Sequence, residues 1–226
     1  MGRAAHVLSG GMDLVLRALV LQGIWLLGAL AGGLVLGWAP ATMAATDAAA
    51  RAERGEPIRW RRAAEVWKDT FWHSQVTLGL PGLFVLLALA AVLSGALPLP
   101  LRPVPGLAAV LLLVALAHIP ELDRRYRLPA TRVFGRALLL GLAQAPTSLV
   151  LLAALALWGG IVLTVPGLAP FLGAAVPLLI SHHLVGRSLD RNEDLLARPA
   201  QPPPPPRARA ARGAAAARRS SLPTSA

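Results

Sequence analysis

The chain has 226 residues, of which 55% are apolar and only 15% charged, with a mean hydropathy of +0.59. That composition excludes an ordinary soluble domain, and the absence of cysteine excludes disulfide frameworks, thiolate metal sites and cysteine nucleophiles. The net charge of +11 answers, in a membrane protein, to topology and anionic lipid, so the expected partner is the lipid bilayer and not nucleic acid.

The first apolar span, Leu14–Gly37, is too long for the apolar core of a signal peptide and reads as a retained helix, ending at Trp38 and Pro40. Arg17 sits near its outer end, where it can snorkel, and Gln22 lies inside it as a candidate for hydrogen bonding between helices. Gly28–Gly32 and Gly33–Gly37 each have GxxxG spacing, which suits tight packing within the chain, with self-association as the alternative.

A polar segment follows. "PATMAATDAAARAERGEP" predicts a helix with Pro40 in its first turn, an Asp47–Arg51 pair, and a stop at Gly55 and Pro57. Ala41, Ala44, Ala45, Ala48 and Ala52 share one face, a smooth stripe suited to close approach by a neighbouring helix. "WRRAAEVWKDTFW" then gives an amphipathic helix. Trp60, Ala63, Ala64, Trp67 and Phe71 lie on one face, and Arg61, Arg62, Glu65, Lys68 and Asp69 on the other. Together the two form a helical hairpin turned at Gly55-Glu56-Pro57. Trp60, Trp67 and Phe71 are its membrane-interface candidates; Arg51, Arg54, Arg61, Arg62 and Lys68 are its partner-docking candidates.

The second span is Ser74–Leu97, with Pro81 inside it. The third, Val104–Ile119, bounded by Pro103 and Pro120, reaches roughly 24 Å against the roughly 30 Å of a hydrocarbon core. It is either re-entrant or extended by the preceding "LPLPL". The fourth is Ala137–Leu157, containing Pro146 and a second intramembrane amide, Gln144; the fifth is Ile161–Val185, interrupted by Pro166, Pro170 and Pro177. Residues 1–198 form the transmembrane domain, and the Pro/Arg-rich segment 199–226 reads as a disordered tail.

Nineteen basic residues fall in the segments after spans one, three and five, and three elsewhere, which places those segments in the cytoplasm, with the N-terminus outside and the C-terminus inside. His182 and His183 are adjacent, so they point about 100° apart on a helix and do not chelate one ion together. Glu53, Glu56, Glu65, Asp69, Glu121 and Asp123 read as ion-paired residues of basic loops, and no phosphate-binding loop, nucleophile elbow or paired intramembrane carboxylates occur. No catalytic, cofactor or metal residues are assigned, and an enzyme is not expected.

The order of features from Ile24 to Gln75, "GIWLLGALAGG", "PATMAATDAAARAERGE" and "WRRAAEVWKDTFWHSQ", resembles the YesL-like family of small bacterial membrane proteins of unknown function. Pro40, Thr42, Ala45, Gly55, Trp67 and Phe71 stand at positions similar to that family's, while Gln22 lies near where an Asn is expected. The resemblance implies a multi-pass protein of the bacterial inner membrane associated with carbohydrate uptake. The expectation is therefore an all-α membrane protein, a bundle of about five transmembrane helices with a cytoplasmic amphipathic hairpin. Its expected role is accessory to solute transport and non-enzymatic, with a carbohydrate permease as partner. A scaffold or lipid-interacting protein, or a self-sufficient small transporter, is the alternative.

Overall fold

The computed structural model describes residues 2–95 and 97–197, and the tail read over 199–226 lies outside them. All regular structure among the described residues is helical: α1 (Gly2–Ala31), α2 (Trp38–Glu53), α3 (Trp60–Ser74), α4 (Leu80–Leu93), α5 (Pro103–Tyr126), α6 (Ala130–Ala143), α7 (Ala145–Thr164), α8 (Ala169–Leu172) and α9 (Ala175–Ala197). Four runs are long and apolar enough to cross a bilayer: Gly11–Ala31, Trp60–Leu93, Leu99–Tyr126 and Ala145–Thr164. The bent pair Pro166–Leu172 and Ala175–Asp194 supplies a fifth if it counts as one span. The architecture is that of a multi-pass helical membrane protein. The chain divides into two units, Met1–Ser188 and Leu189–Ala226; the described part of the second is the end of α9, and the packing below belongs to the first.

Packing starts from α1 and α2. α1 ends at Ala31, and a turn over 32–37 with Gly33 at φ +67° reverses the chain. α2 then retraces α1. Gly37 abuts Ala29, Ala41 faces Gly28, and Thr42 meets Trp25, so each step forward along α2 is a step back along α1. A Cβ placed on Gly28 would lie 2.9 Å from that of Ala41 and 3.0 Å from the Trp67 ring, so only glycine allows this approach. Alanine, the best helix former, here also provides the contact surface: Ala41, Ala44, Ala45, Ala48, Ala49 and Ala50 are all buried. The expected alanine stripe has its neighbour, and that neighbour is α1. Gly28, Gly32 and Gly37 are likewise used within the chain.

This reversal bears on the topology read from the sequence. At about 1.5 Å per residue the 16-residue α2 runs back roughly 24 Å, most of a hydrocarbon core, so the 54–59 connection lies level with the N-terminal half of α1. Trp60, at the start of α3, touches Gly23, inside α1 and short of its C-terminal end. An N-terminus outside and an Arg-rich connection inside cannot both hold if α1 crosses.

Prolines set the remaining breaks. Ahead of Pro81 the helix widens into a π turn, Gln75–Gly79, with the Leu80 amide bonded to the Gln75 carbonyl, and this lets α3 run on into α4. α5 passes through Pro120 and gains a 3₁₀ turn, Leu99–Leu101, in front, so the third span is not short. The fourth span was misplaced. Gln144 leaves helical geometry (φ −109°, ψ 44°), and Pro146 sits in the first turn of α7, where it needs no amide partner. The Ser148 hydroxyl takes up the Gly141 carbonyl at 2.7 Å across the break. The Gln144 Oε1 is buried without a partner among the described residues. At the fifth span, Pro166 and Pro170 begin short helical pieces, and the bend is 59°.

Trp25→Cys combined with Thr42→Cys should be joined by a short bifunctional thiol reagent in membranes of this cysteine-free chain, because the two side chains meet at 3.0 Å. Trp25→Cys with Ala52→Cys should not. The check is the gel shift of a cleaved linker between α1 and α2, and failure of the first pair would reject the antiparallel packing.

Candidate functional site

Six helices border a partly open cavity of about 660 Å³, lined by α1, α2, α5, α7, α8 and α9. Its size falls in the range of small-molecule sites, roughly 300–1,000 Å³. Leu26, Leu113, Leu116, Leu155, Pro170 and Leu178 make much of the wall apolar. The polar exceptions come from different helices: Gln22 and Trp25 from α1, Thr42 and Thr46 from α2, Glu121 from α5, and Ser181 and His182 from α9.

Gln22 holds the broken fifth span together. Its Oε1 accepts from the amides of Ala174 (3.0 Å) and Ala175 (2.9 Å), the first groups of α9, and its Nε2 donates to the Ala169 carbonyl at 3.4 Å. A helix start buried in a bundle has amides with no intrahelical partner, and this amide side chain supplies one. The expectation of a bond between helices is met at Gln22. Trp25 donates to Thr42 Oγ1 at 3.0 Å, and Thr42 and Thr46 in turn donate to the carbonyls of Trp38 and Thr42.

At one side of the cavity lies a buried ionic cluster. Glu121, 2% exposed, accepts from Arg125 Nε (2.7 Å), from Arg124 through both Nε and Nη2, and from His182 Nδ1 (2.9 Å). The arginines stand three and four residues on along the same helix, so α5 neutralises its own carboxylate. Arg125 also reaches the Gly186 carbonyl at 3.3 Å, a second tie to α9. The other face of the His182 ring, Nε2, lies 3.0 Å from Glu53 Oε2 but outside hydrogen-bond geometry. Glu53 is more than half exposed, so His182 stands between a buried carboxylate and one that meets solvent. His183, its neighbour, is exposed, as the helical angle between adjacent positions requires. A separate pair, His73 Nε2 with Asp123 Oδ1 at 3.0 Å, joins α3 to α5.

The hairpin residues separate into two sets. Trp67 is only half-buried and its indole N–H donates to the Gly28 carbonyl at 3.0 Å, so it anchors α3 to α1. Phe71 stacks obliquely on it at 5.0 Å, while Trp60 is half exposed. Trp72, absent from the sequence-based set, is the most exposed aromatic of the segment at 79%. Among the docking candidates, Arg51 bonds Asp47 (2.7 Å) and Glu56 (3.1 Å), and Arg54 bonds Glu56 (2.8 Å); these close the turn at Gly55, whose φ is +76°. The Arg54 hydrogen bond holds the Glu56 carboxyl below the usual carboxylate range. Arg61 and Arg62 share Glu65, Arg61 remaining 93% exposed, and Lys68 is exposed. Arg51, Arg61 and Arg62 line one pocket of about 550 Å³ at the turn between α2 and α3, and Arg54 and Lys68 do not line it.

Sequence reasoning missed Glu121, assigned to a loop because Pro120 seemed to end the span. The available signal was the Glu121–Arg124–Arg125 spacing beside a histidine on another apolar segment.

Residues 18–93, about a third of the chain, match a family described as "Protein of unknown function, DUF624". The chain is also 28% identical over 195 residues, 82% of its own length, to the "Uncharacterized protein YesV" of Bacillus subtilis (strain 168), of which 93% is covered. No solved structure matches. The family match takes in Gln22, Trp25, Thr42, Thr46 and Glu53, and so one half of the site, while Glu121 and His182 lie beyond it. The similarities support a family of unknown function.

Glu121→Gln leaves two guanidinium groups and an imidazole without their carboxylate, and should destabilise the fold by about 3–5 kcal/mol, as for other broken buried pairs. Glu53→Gln, at the exposed side, should cost less than about 1 kcal/mol. Gln22→Leu strands two amides at about 1–3 kcal/mol each. Thermal unfolding in detergent should rank Glu53→Gln well above the other two; equal melting of Glu53→Gln and Glu121→Gln would refute the arrangement.

Proposed function

We propose that the protein is a non-enzymatic, multi-pass component of the bacterial inner membrane that serves solute uptake as an accessory of a carbohydrate permease, in the manner implied by its resemblance to the YesL-like proteins. The observation that supports this reading most is the outer face of α3. Arg61, Glu65, Lys68 and Asp69 are exposed there, while Ala63 on the opposite side is buried and Trp67 ties the helix to α1. A charged face of mixed sign on a helix with a fixed position suits electrostatic docking to another protein, which gains specificity and encounter rate from such a pattern. The basic segments after α2, α5 and α9 favour the cytoplasm as the side of this face. Because α2 retraces α1, the N-terminus then lies on the cytoplasmic side as well.

Reversal of charge at two exposed positions, Arg61→Glu with Lys68→Glu, should leave insertion and melting temperature unchanged yet abolish copurification of a carbohydrate permease from native membranes. Arg62 is kept, because it is partly buried against the hairpin. If the altered protein captures the same partners, or the original captures none, the accessory role falls and a scaffold or lipid-interacting role replaces it.

A further inference from the structure

The cavity's polar groups are nearly all committed to the protein itself. Glu121 is saturated by Arg124, Arg125 and His182, so it offers a ligand neither an open lone pair nor net negative charge. The Gln22 carbonyl oxygen is taken by Ala174 and Ala175. Thr42 and Thr46 have given their hydrogens to backbone carbonyls, and Thr42 also accepts from Trp25. What remains facing the space is weak: lone pairs on Thr42 and Thr46, one amide hydrogen of Gln22 and the Ser181 hydroxyl, while His182 Nε2, not hydrogen-bonded, is held 3.0 Å from Glu53 Oε2.

These groups restrict the chemistry of an occupant. A charged ligand would be desolvated without a free counter-ion, both arginines being bonded to Glu121, at a cost of several kcal/mol. A free sugar would carry many hydroxyls into a wall with few partners, each unmet bond costing about 1–3 kcal/mol. An apolar body with a single hydroxyl meets both limits: the body fills the space lined by Leu26, Leu113, Leu116, Leu155 and the Trp25 ring, and the hydroxyl donates to Thr46 Oγ1. We infer that the cavity between α1, α2, α5 and α7–α9 is a binding site for an uncharged, apolar-bodied alcohol. This site is independent of the docking face on α3 and stands or falls apart from it.

The test uses the full chain in bilayer discs of unbrominated phosphatidylcholine, with 10-bromodecan-1-ol as the probe and tryptophan fluorescence as the readout. Quenching should saturate, and the saturable part should vanish in Trp25→Phe, which removes the reporter, and in Ala117→Phe, which fills the cavity. Thr46→Val, which keeps shape and removes the acceptor, should weaken the apparent affinity about fivefold, the equivalent of one hydrogen bond of about 1 kcal/mol. 10-Bromodecanoate and 10-bromodecylammonium should give only the unsaturable part. The inference is overturned if quenching by the alcohol is linear and equal in wild type and Ala117→Phe, if Thr46→Val binds the alcohol unchanged, or if either charged analogue saturates at the same concentration. Saturable quenching of Trp25 by brominated phosphatidylcholine would also overturn it, making the space a lipid-filled groove.

Discussion

The approach of α2 to α1 across Gly28 and Ala41 is the constraint on which the rest of the first unit depends. Within a bilayer, apolar burial gives little drive for helices to associate, so close packing and polar ties between helices carry the association. Here the small residues bring the backbones together, and the Trp67 indole then closes on the Gly28 carbonyl. The consequences run outward from that contact. α2 is carried into the interior, Thr42 and Thr46 become part of the cavity wall, and Glu53 arrives beside His182. A bulkier residue at Gly28 would act at all three places at once, although only α2, through Ala41, touches it.

The buried charges obey a second constraint. A carboxylate at 2% exposure is tolerable only when every lone pair is used, and Glu121 meets this condition with two arginines one turn along its own helix and a histidine from α9. The same economy holds at Gln22, which satisfies the start of α9 where the fifth span is broken. Both devices leave the cavity between them lined with groups that are polar in composition and, at Glu121 and the Gln22 carbonyl oxygen, already committed in bonding. That is why the cavity is apolar in behaviour despite containing an acid, an amide and an imidazole.

Much of this was legible in the sequence, for local reasons. The alanine face of α2 follows from its periodicity, the stop at Gly55 from residue type, and the break of the fifth span at Pro166 from the missing amide. What was not legible depended on partners. Periodicity shows that Ala41 and Ala45 share a face but not that α1 covers it, and so the reversal at 32–37 is not legible in the sequence. Glu121 was read as a loop residue because a proline before it suggested a helix end, whereas α5 continues to Tyr126. Gln22 and Gln144 look alike in sequence, yet one binds three backbone groups and the other has its Oε1 unpaired. The difference lies in whether a broken helix faces them.

The central claim is that α2 folds back along α1, so that the start of the first span and the Arg-rich connection lie on one side of the membrane. Accessibility of single cysteines at Gly11→Cys and Pro57→Cys to an impermeant thiol reagent tests it most directly, since both positions are exposed and the chain has no other cysteine. The account expects both to be protected in intact cells and both to react in inverted membrane vesicles. Reaction of one from outside and of the other from inside would contradict it.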